Sequence, residues 1–264
     1  PRSTPKPSSA ASDVYKRQNG ELLAEFRDDA FRAGQLAPCA HTFEEPGLVV
    51  WFDDLVVRED LEVRALAERA WSLFDQGQRA YRSWHLEEAI RDYERALLIY
   101  RVLGWKEREA DCHLELGTCW HLLSEFHKAA EHYRESLAIY REIGDRRGEA
   151  RSLNNLGLCY EALGDYREAI DRYEQSLAIS REIGDREAEA ASLDNLGNCY
   201  EALGGYQRAI DYHEQSLAIK REIGDRRGEA ASLNNIGGCY AALGHYQRAL
   251  DYYEESLAIF REIG

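Results

Sequence analysis

The most constraining feature of this 264-residue chain is an internal repeat with a period of 40 residues. Three consecutive segments align at this spacing without a gap: Glu149–Gly184, Glu189–Gly224 and Glu229–Gly264. The last two segments are identical at 27 of 36 positions. A fixed period of this length is typical of solenoids, in which each unit contacts only its neighbours and the stacked units form one extended surface. We therefore expect a protein that holds a partner rather than one that catalyses a reaction.

Each unit predicts a pair of helices. Leu153, Leu156 and Tyr160 recur at helical spacing and predict a first helix from about Arg146 to Leu163. Gly164 is expected to end this helix, because glycine readily adopts the left-handed conformation of a helix terminus. A second helix follows, and its inner stripe consists of Tyr166, Ala169, Ile170, Tyr173, Leu177 and Ile183.

Further signals lie at the helix ends and inside the first helix. Gly184 is predicted to close the second helix, and Asp185 to cap the next helix by accepting hydrogen bonds from its free backbone N–H groups. Gly157, Gly197 and Gly237 lie inside first helices, where glycine costs about 1 kcal/mol relative to alanine. That cost is explained if the two helices of a unit cross closely at this glycine.

The recurring residues Leu156-Gly157, Tyr160, Ala169 and Tyr173 resemble the tetratricopeptide repeat. The resemblance covers about residues 61–264 and implies an all-α fold, a right-handed superhelical solenoid of antiparallel helix pairs with about five repeats. We expect units at about residues 69–108, 109–148, 149–188, 189–228 and 229–264. The 40-residue unit is longer than the usual one of about 34 residues. Arginines also stand where the family usually has a proline, at Arg181, Arg221 and Arg261.

The longer unit most resembles the repeats of Pins-type cell-polarity adaptors, and it is also similar to arrays appended to bacterial signalling ATPases and caspase-like proteases. The first similarity implies a scaffold that binds a peptide segment of a partner in its concave groove. The second implies the sensor or regulatory arm of a larger signalling ATPase or protease. The repeats alone leave both interpretations open.

The segment before the array is unlike the repeats. Residues 1–18 resemble translated adaptor sequence and the chain contains no methionine, so we expect this segment not to be native protein. Residues 19–60 are expected to be an N-terminal segment or the remnant of a preceding domain. Within them, Gly20–Leu36 predicts an amphipathic helix and Gly47–Val57 has strand-like composition. Because the last unit is no more polar than those before it, we also expect the gene to continue beyond Gly264, as a fragment would.

Composition argues against several classes of partner. The net charge of −15 is opposite to what binding to nucleic acid or to an anionic membrane requires. No apolar run approaches the roughly 18 residues of a membrane-spanning helix.

Four cysteines recur at one position in successive units: Cys119, Cys159, Cys199 and Cys239. We expect equivalent positions in neighbouring units to be farther apart than the roughly 7 Å between Cα atoms that a disulfide allows. We expect them to be small buried packing residues in a reducing compartment, and we expect a cytoplasmic protein.

Comparison of the last three units shows where the first helix varies. Within the aligned segments, which begin at Glu149, Glu189 and Glu229, and apart from one conservative core exchange, the varying positions form four sets: Arg151/Ala191/Ala231, Asn154/Asp194/Asn234, Leu158/Asn198/Gly238 and Glu161/Glu201/Ala241. At 100° per residue these positions fall within an arc of about 80°, which we call the variable stripe. In the tetratricopeptide family this stripe lines the concave groove. The resemblance therefore implies a peptide-binding surface that includes Arg151, Asn154, Leu158, Asp194, Asn198 and Asn234.

Three asparagines, Asn155, Asn195 and Asn235, run beside the variable stripe and are unchanged in the three units. We call them the asparagine ladder. An amide both donates and accepts hydrogen bonds, so the ladder suits the backbone of an extended peptide. Two alternatives stay open. The ladder can instead tie neighbouring units together, and the variation can be neutral drift at solvent-facing positions, because second-helix positions such as Arg172/Tyr212/Tyr252 vary as well.

Charge indicates the kind of partner. Family members that bind the carboxylate at the C-terminus of a chaperone use lysine and arginine on this stripe, whereas here only Arg151 is basic and Asp111, Glu115 and Asp194 are acidic. We therefore expect a protein or peptide partner with a basic or amphipathic segment. Self-association through the last repeat, by way of Tyr240, Tyr252 and Phe260, is a further possibility.

The sequence carries no pattern that predicts an enzyme or a cofactor. Four histidines lie in one unit, His113, His121, His127 and His132, with Cys112 and Cys119 nearby, but their spacing matches no standard metal-ligand pattern. A phosphate-binding glycine loop, an HExxH motif and a GxSxG motif are all missing from the sequence. We expect neither a metal nor a catalytic site.

Overall fold

The computed structural model describes residues 13–18, 21–27 and 55–263, with side-chain environments from residue 63 onwards. Two strands come first, β1 (Asp13–Gln18) and β2 (Glu21–Arg27). Ten helices follow in the described part of the chain: α1 (Leu55–Arg82), α2 (Leu86–Leu103), α3 (Lys106–Leu122), α4 (Phe126–Ile143), α5 (Arg146–Ala162), α6 (Tyr166–Ile183), α7 (Arg186–Ala202), α8 (Tyr206–Ile223), α9 (Arg226–Ala242) and α10 (Tyr246–Ile263). Each odd-numbered helix packs against the helix that follows it, which gives five antiparallel pairs. The expected all-α solenoid of about five repeats is therefore confirmed.

The helix termini form where the Gly-Asp pairs predict them. Gly184 ends α6 in the left-handed conformation, with φ of 70°, and the N–H of Asp185 donates to the carbonyl of Ser180 at 2.9 Å. The Asp185 side chain then accepts a hydrogen bond from the backbone N–H of Ala188 at 3.1 Å and caps α7. Gly164 is left-handed as well, with φ of 79°. The predicted end signals are thus confirmed.

The two helices of a pair cross at the mid-helix glycine. A Cβ atom added to Gly157 would lie 2.4 Å from a ring carbon of Tyr173 on α6, far inside van der Waals contact. The Tyr173 ring is fully buried and cannot move aside at low cost. The same contact joins Gly197 to His213 and Gly237 to Tyr253. Glycine is therefore required at this position by the close approach of the second helix.

The core consists of successive clusters of buried side chains that lie between the helices along the array. Leu153, Leu156 and Ala169 are buried with Tyr173, and each has a buried equivalent in other pairs. The cysteines that the structure describes are free and buried: Cys112, Cys119, Cys159, Cys199 and Cys239. The expected packing role of the repeated cysteines is consistent with this placement.

A buried glutamate holds each junction between successive pairs. Glu189 is 6% exposed and accepts a hydrogen bond from Arg181 Nε, at the end of the preceding α6, at 2.9 Å. It also accepts one from Arg186 in its own first turn. Equivalent bonds join Arg141 to Glu149 and Arg221 to Glu229, both at 2.8 Å. The arginine that replaces the usual proline of the family is therefore a junction residue.

The first helices of successive pairs form one row. α3 contacts α5 and α5 contacts α7, in addition to their contacts with the intervening second helices. Buried serines connect the layers: Ser176 Oγ donates to the carbonyl of Ala150 at 3.0 Å, and Ser192 Oγ donates to Ser176 Oγ at 3.0 Å. The row of first helices thus presents its remaining face to solvent as a continuous wall.

The predicted helix at Gly20–Leu36 is wrong over the residues that the structure describes. Glu21–Arg27 is instead strand β2, paired antiparallel with β1 so that Gln18 lies opposite Glu21 and Asp13 opposite Arg27. The sequence between the strands is Asn19-Gly20, a dipeptide favoured in two-residue hairpin turns, and this local signal outweighs the few apolar residues at helical spacing. Residues 28–36 lie outside the described part.

The strand-like composition of Gly47–Val57 did not predict the structure at its C-terminal end. Leu55–Val57 belong to α1, which begins earlier than the expected array start near residue 61. Residues 47–54 lie outside the described part. β-branched residues occur in helices as well as in strands. Because Leu55–Val57 belong to a helix of 28 residues, the long helical pattern determines their structure.

Among the described helices, none combines the length and hydropathy of a membrane span.

The last pair exposes an apolar face. Leu250 is 53% exposed and Leu257 46% exposed, whereas their equivalents in α8, Ile210 and Leu217, are buried with the residues of α9. Phe260 is also exposed, next to this face. Self-association through the last repeat has an apolar surface available to it and stays a prediction.

Replacing Gly157 with alanine tests the close crossing. We expect Gly157→Ala to lower the free energy of unfolding by about 1–2 kcal/mol, because overpacking against Tyr173 outweighs the gain in helix propensity. Gly238→Ala is the matched control, since a Cβ there meets no atom closer than 3.8 Å and the equivalent positions carry Leu158 and Asn198. The control should stabilise the array by up to about 1 kcal/mol in urea unfolding. Equal effects of the two substitutions would contradict the crossing geometry.

Candidate functional site

The wall of first helices is oriented by the caps and by the core. Asp145 accepts hydrogen bonds from the backbone N–H groups of Arg147 and Gly148, both at 3.0 Å, and so fixes where α5 begins. Leu153 and Leu156 are buried in one cluster with Ala129 and Tyr133 of α4 and Ile179 of α6. The positions between these buried residues remain on the open side of α5, and the same relation holds in α7 and α9.

The variable stripe is accessible to solvent. Its first set, Arg151, Ala191 and Ala231, is exposed. In the other sets only Asn234 is exposed. The remaining members are half-buried: Asn154, Asp194, Leu158, Asn198, Gly238, Glu161, Glu201 and Ala241. Most side chains in the stripe therefore keep outer atoms that are available to a ligand.

The asparagine ladder is half-buried along the same wall. Asn195 Nδ2 donates to Asn154 Oδ1 in the preceding unit at 3.0 Å, so this ladder residue joins α7 to α5. Asn155 and Asn235 are also half-buried. In α3 the ladder position is occupied by Glu115, whose pKa is raised by burial, an effect that the positive charge of Arg151 opposes. The ladder thus combines contact between units with partial access to solvent.

Asp194 lies in the variable stripe, but its carboxylate is engaged within the protein. It contacts Lys220 Nζ, accepts a hydrogen bond from Ser232 Oγ at 3.1 Å and lies 3.2 Å from Nδ1 of His213. Burial acts to raise the pKa of this carboxyl, but the bonds from His213 and Lys220 outweigh burial and lower it. Asp194 therefore connects α7, α8 and α9 and has little capacity left for a ligand.

Acidic and aromatic groups surround Arg151 at the other end of the wall. Asp111 accepts hydrogen bonds from the Tyr140 hydroxyl at 2.7 Å and from Arg108 at 3.2 Å. Glu115 lies close enough to Arg151 for their charges to interact. Arg151 is thus an exposed cation with acidic neighbours, an arrangement that does not match a cluster of basic residues for a carboxylate.

Two concave depressions lie between second helices, where sequence analysis assigned no site. One lies between α6 and α8 and is lined by Arg181, Arg208, Tyr212 and Gln215 among others. The other lies between α8 and α10 and is lined by equivalent residues, including Tyr252. We call them the second-helix depressions. The variation of Arg172/Tyr212/Tyr252 was the signal that could have indicated them.

The histidines of the second unit do not assemble with its cysteines. His113 Nδ1 lies 3.0 Å from His132 Nδ1, and His113 Nε2 lies 2.9 Å from a guanidinium nitrogen of Arg101. Burial, His132 and Arg101 lower the pKa of His113 to about 4. Both ring nitrogens of His113 are therefore engaged. His121 packs edge-on against Phe126 instead.

The family of the chain follows from these repeats. Residues 109–182, 148–222 and 188–262 match one tetratricopeptide repeat family, and residues 74–142 match another. The chain belongs to the tetratricopeptide repeat family. The tetratricopeptide fold is generally a non-catalytic scaffold for protein interactions. No curated protein sequence matches the chain significantly.

Solved structures show the same fold at low identity. A candidate kinesin light chain from Podosopora anserina with nearly identical TPR-like repeats is 23% identical, with a TM-score of 0.63 over 75% of this chain and 97% of that one. A Rap protein complexed with Competence and Sporulation Factor is 16% identical, with a TM-score of 0.64 over 79% and 59%. A Signal Transduction ATPase with Numerous Domains with a tetratricopeptide repeat sensor, from Pyrococcus horikoshii, is 20% identical, with a TM-score of 0.65 over 78% and 32%. At these identities the similarity shows the fold alone.

The contact between Asp194 and Lys220 predicts a structural role for Asp194, which stability measurements can test without a ligand. Asp194→Asn leaves the Lys220 ammonium, which is 8% exposed, without its counter-charge and should lower the free energy of unfolding by about 3 kcal/mol. Adding Lys220→Ser should restore most of the loss, because the preceding unit carries Asn154 and Ser180 at these positions. Urea unfolding of the single and double variants measures the coupling. Simple addition of the two single effects would contradict the pairing.

Proposed function

We propose that this tetratricopeptide array binds an extended segment of a partner protein along the wall of first helices. The observation that carries the proposal is the variable stripe: its positions keep contact with solvent, while the other first-helix positions from Glu149, Glu189 and Glu229 onward are unchanged between the units or buried. In a curved stack, the more closely spaced row lies inside, and the first helices contact one another directly. This supports assigning the wall to the concave side.

The chemistry of the wall suits a peptide backbone with selected side chains. The asparagine ladder offers amide groups that both donate and accept hydrogen bonds. Asn155 and Asn235 keep part of their surface in solvent, and Asn195 uses only one donor on Asn154. Leu158, Asn198 and Gly238 then present a different side chain in each unit, which favours selection of a particular segment over uniform binding.

Charge favours a basic or amphipathic segment. The chain has a net charge of −15. The wall carries the acidic residues Asp111, Glu115, Glu161 and Glu201, and the exposed arginines of α5 and α9 are Arg147, Arg151 and Arg227, of which Arg147 is paired with Asp185. An acidic wall attracts cationic partners and disfavours acidic ones, with an effect that weakens as salt rises. The Rap structure with Competence and Sporulation Factor supports the general idea that a fold of this kind accommodates a bound factor.

Loss of the ladder amides tests the proposal. A peptide array probed with the whole chain should return lysine- and arginine-rich segments, and the tightest of them should bind with an affinity that falls with salt. Changing Asn155, Asn195 and Asn235 together to alanine should weaken this peptide by at least 10-fold in fluorescence anisotropy, because each lost hydrogen bond is worth about 1 kcal/mol.

The matched control removes three exposed amides from the second helices, Gln207, Gln215 and Gln247, each changed to alanine. This control should bind the peptide as the unaltered chain does. Circular dichroism establishes that helicity is retained in both triple variants. Equal affinity of the ladder variant and the control, or an array that selects acidic C-termini, would refute binding through the wall.

A second candidate is the sensor or regulatory arm of a larger signalling ATPase or protease, in which the array relays occupancy by a change in curvature. The observation that favours it is the fold similarity to the tetratricopeptide sensor from Pyrococcus horikoshii, of whose chain this one covers 32%. Sequencing of the flanking gene distinguishes the two functions. A phosphate-binding glycine loop or a catalytic His/Cys pair in the same reading frame would favour the regulatory arm.

A further inference from the structure

Three potential metal ligands converge where α7, α8 and α9 meet. They are Glu201 near the end of α7, His213 on α8 and Cys239 on α9, and one ligand atom from each lies within 4.8 Å of the other two. His213 and Cys239 are buried, whereas Glu201 is half-buried and belongs to the variable stripe. A carboxylate, an imidazole and a thiol thus share one site that is reached from the wall of first helices.

The repeats themselves show what is unusual here. The position of His213 is occupied by tyrosine in the other units, at Tyr133, Tyr173 and Tyr253. In the preceding pair the Tyr173 hydroxyl donates to Glu161 at 2.8 Å, and Cys199 lies in the same buried cluster. One substitution therefore converts the Glu–Tyr–Cys arrangement of the preceding pair into Glu–His–Cys. Packing requires a ring at this position but does not require imidazole.

The imidazole is oriented as metal-binding histidines commonly are. Nδ1 of His213 lies 3.2 Å from the Asp194 carboxylate, while Nε2 is fully buried and has no hydrogen-bond partner among the described residues. A carboxylate that holds one ring nitrogen fixes the tautomer and leaves the other nitrogen free to bind an ion. A buried polar atom without a partner is costly, so the orphaned Nε2 calls for an explanation.

Asp194 and its other partner also depart from the repeat. The equivalents of Asp194 are Asn154 and Asn234, and those of Lys220 are Ser180 and Phe260. A purely structural interpretation is that Lys220, Asp194 and His213 satisfy one another. That interpretation accounts for Asp194 and for Nδ1, but it leaves Nε2 without a partner, although a ring nitrogen of His213 lies within 4.8 Å of ligand atoms of Glu201 and Cys239.

We propose that Glu201, Nε2 of His213 and the Cys239 thiolate bind one Zn²⁺ ion, with the fourth position open to water or a small ligand. Zinc accepts this mixture of oxygen, nitrogen and sulfur, and three protein ligands with one open position are a common arrangement. The two anionic ligands neutralise the ion. Ligand atoms around tetrahedral zinc lie roughly 3.3–3.8 Å apart, so half-buried Glu201 needs only a small side-chain movement.

The proton balance of binding is defined. Burial, the charge of Glu201 and a hydrogen bond to Glu201 raise the pKa of the Cys239 thiol to about 12, so the thiol is protonated before the ion arrives. The zinc–sulfur bond forms as the S–H bond breaks, and the proton leaves to solvent. The proposed zinc site differs from the sequence-based expectation that no metal binds. The other repeated cysteines, Cys119, Cys159 and Cys199, keep their packing role.

Cobalt(II) titration tests the site directly. The whole chain, without a polyhistidine tag and freed of metal by a chelator, should develop a thiolate-to-cobalt charge-transfer band that saturates at one equivalent and disappears when Zn²⁺ is added. His213→Tyr should weaken binding by at least 100-fold. This variant restores the residue of the other repeats, whose hydroxyl can donate to Glu201 as Tyr173 donates to Glu161, so the fold should be retained.

Two further variants separate the site from general effects. Glu201→Ala introduces the residue found at Ala241 and should also weaken cobalt binding, independently of His213. Cys199→Ser removes an equivalent buried cysteine that faces Tyr173 instead of a histidine, and it should leave the band unchanged. The proposal is overturned if the unaltered chain gives no saturable band, if His213→Tyr and Glu201→Ala bind as it does, or if Cys199→Ser abolishes binding.

Discussion

The buried glutamate at each junction is the interaction on which the stack depends. Glu109, Glu149, Glu189 and Glu229 are nearly inaccessible to solvent, and each accepts a hydrogen bond from an arginine at the end of the preceding pair. A carboxylate buried without partners would cost several kcal/mol, so the bonds are obligatory once the pairs stack. Burial acts to raise the pKa of Glu229, but the bonds from Arg221 and Arg226 outweigh it and lower the pKa. The junction therefore fixes how one helix pair sits on the next.

A fixed junction allows the rest of the unit to diversify. The mid-helix glycine, the buried leucines and the capping aspartates recur because each meets a close neighbour at the same geometry in every pair. Most positions of the variable stripe keep part of their surface in solvent, so substitutions there alter surface chemistry; Asp194 is the exception, because its carboxylate joins α7, α8 and α9. The fourth pair departs furthest: Asp194, His213 and Lys220 are all unusual for their positions, and they contact one another. Such a set of mutually dependent changes is more specific than drift at isolated surface positions.

Local and periodic features of the structure could be predicted from the sequence. The helix pairs, the left-handed Gly164 and Gly184, and the Asp185 cap follow from short-range chemistry that the 40-residue period repeats. The predicted helix at Gly20–Leu36 is wrong over Glu21–Arg27, where a few apolar residues at helical spacing lie beside the Asn-Gly turn signal. The hairpin depends on hydrogen bonds between β1 and β2, and the spacing of apolar residues along one segment carries no information about such pairing.

The site was less predictable because its contacts join distant residues. Sequence analysis placed Asp194 on an open stripe, since a helical arc says nothing about Lys220 from α8 or Ser232 from α9. Glu201, His213 and Cys239 come from three helices and show no ligand spacing, so only the structure brings them together. The second-helix depressions arise between neighbouring units and have no motif of their own. The ladder and the stripe, by contrast, were readable from comparison of the copies.

Amide hydrogen exchange with a bound peptide tests the central claim most directly, because it reports which row of helices the ligand covers. The tightest ligand from the peptide array is added in saturating amount, and exchange is measured by mass spectrometry across the whole chain. Binding along the wall predicts slower amide exchange in α5, α7 and α9, centred on Asn155, Asn195 and Asn235. Protection confined to α6 and α8, around Arg208 and Tyr212, would assign binding to the second-helix depressions and contradict the account.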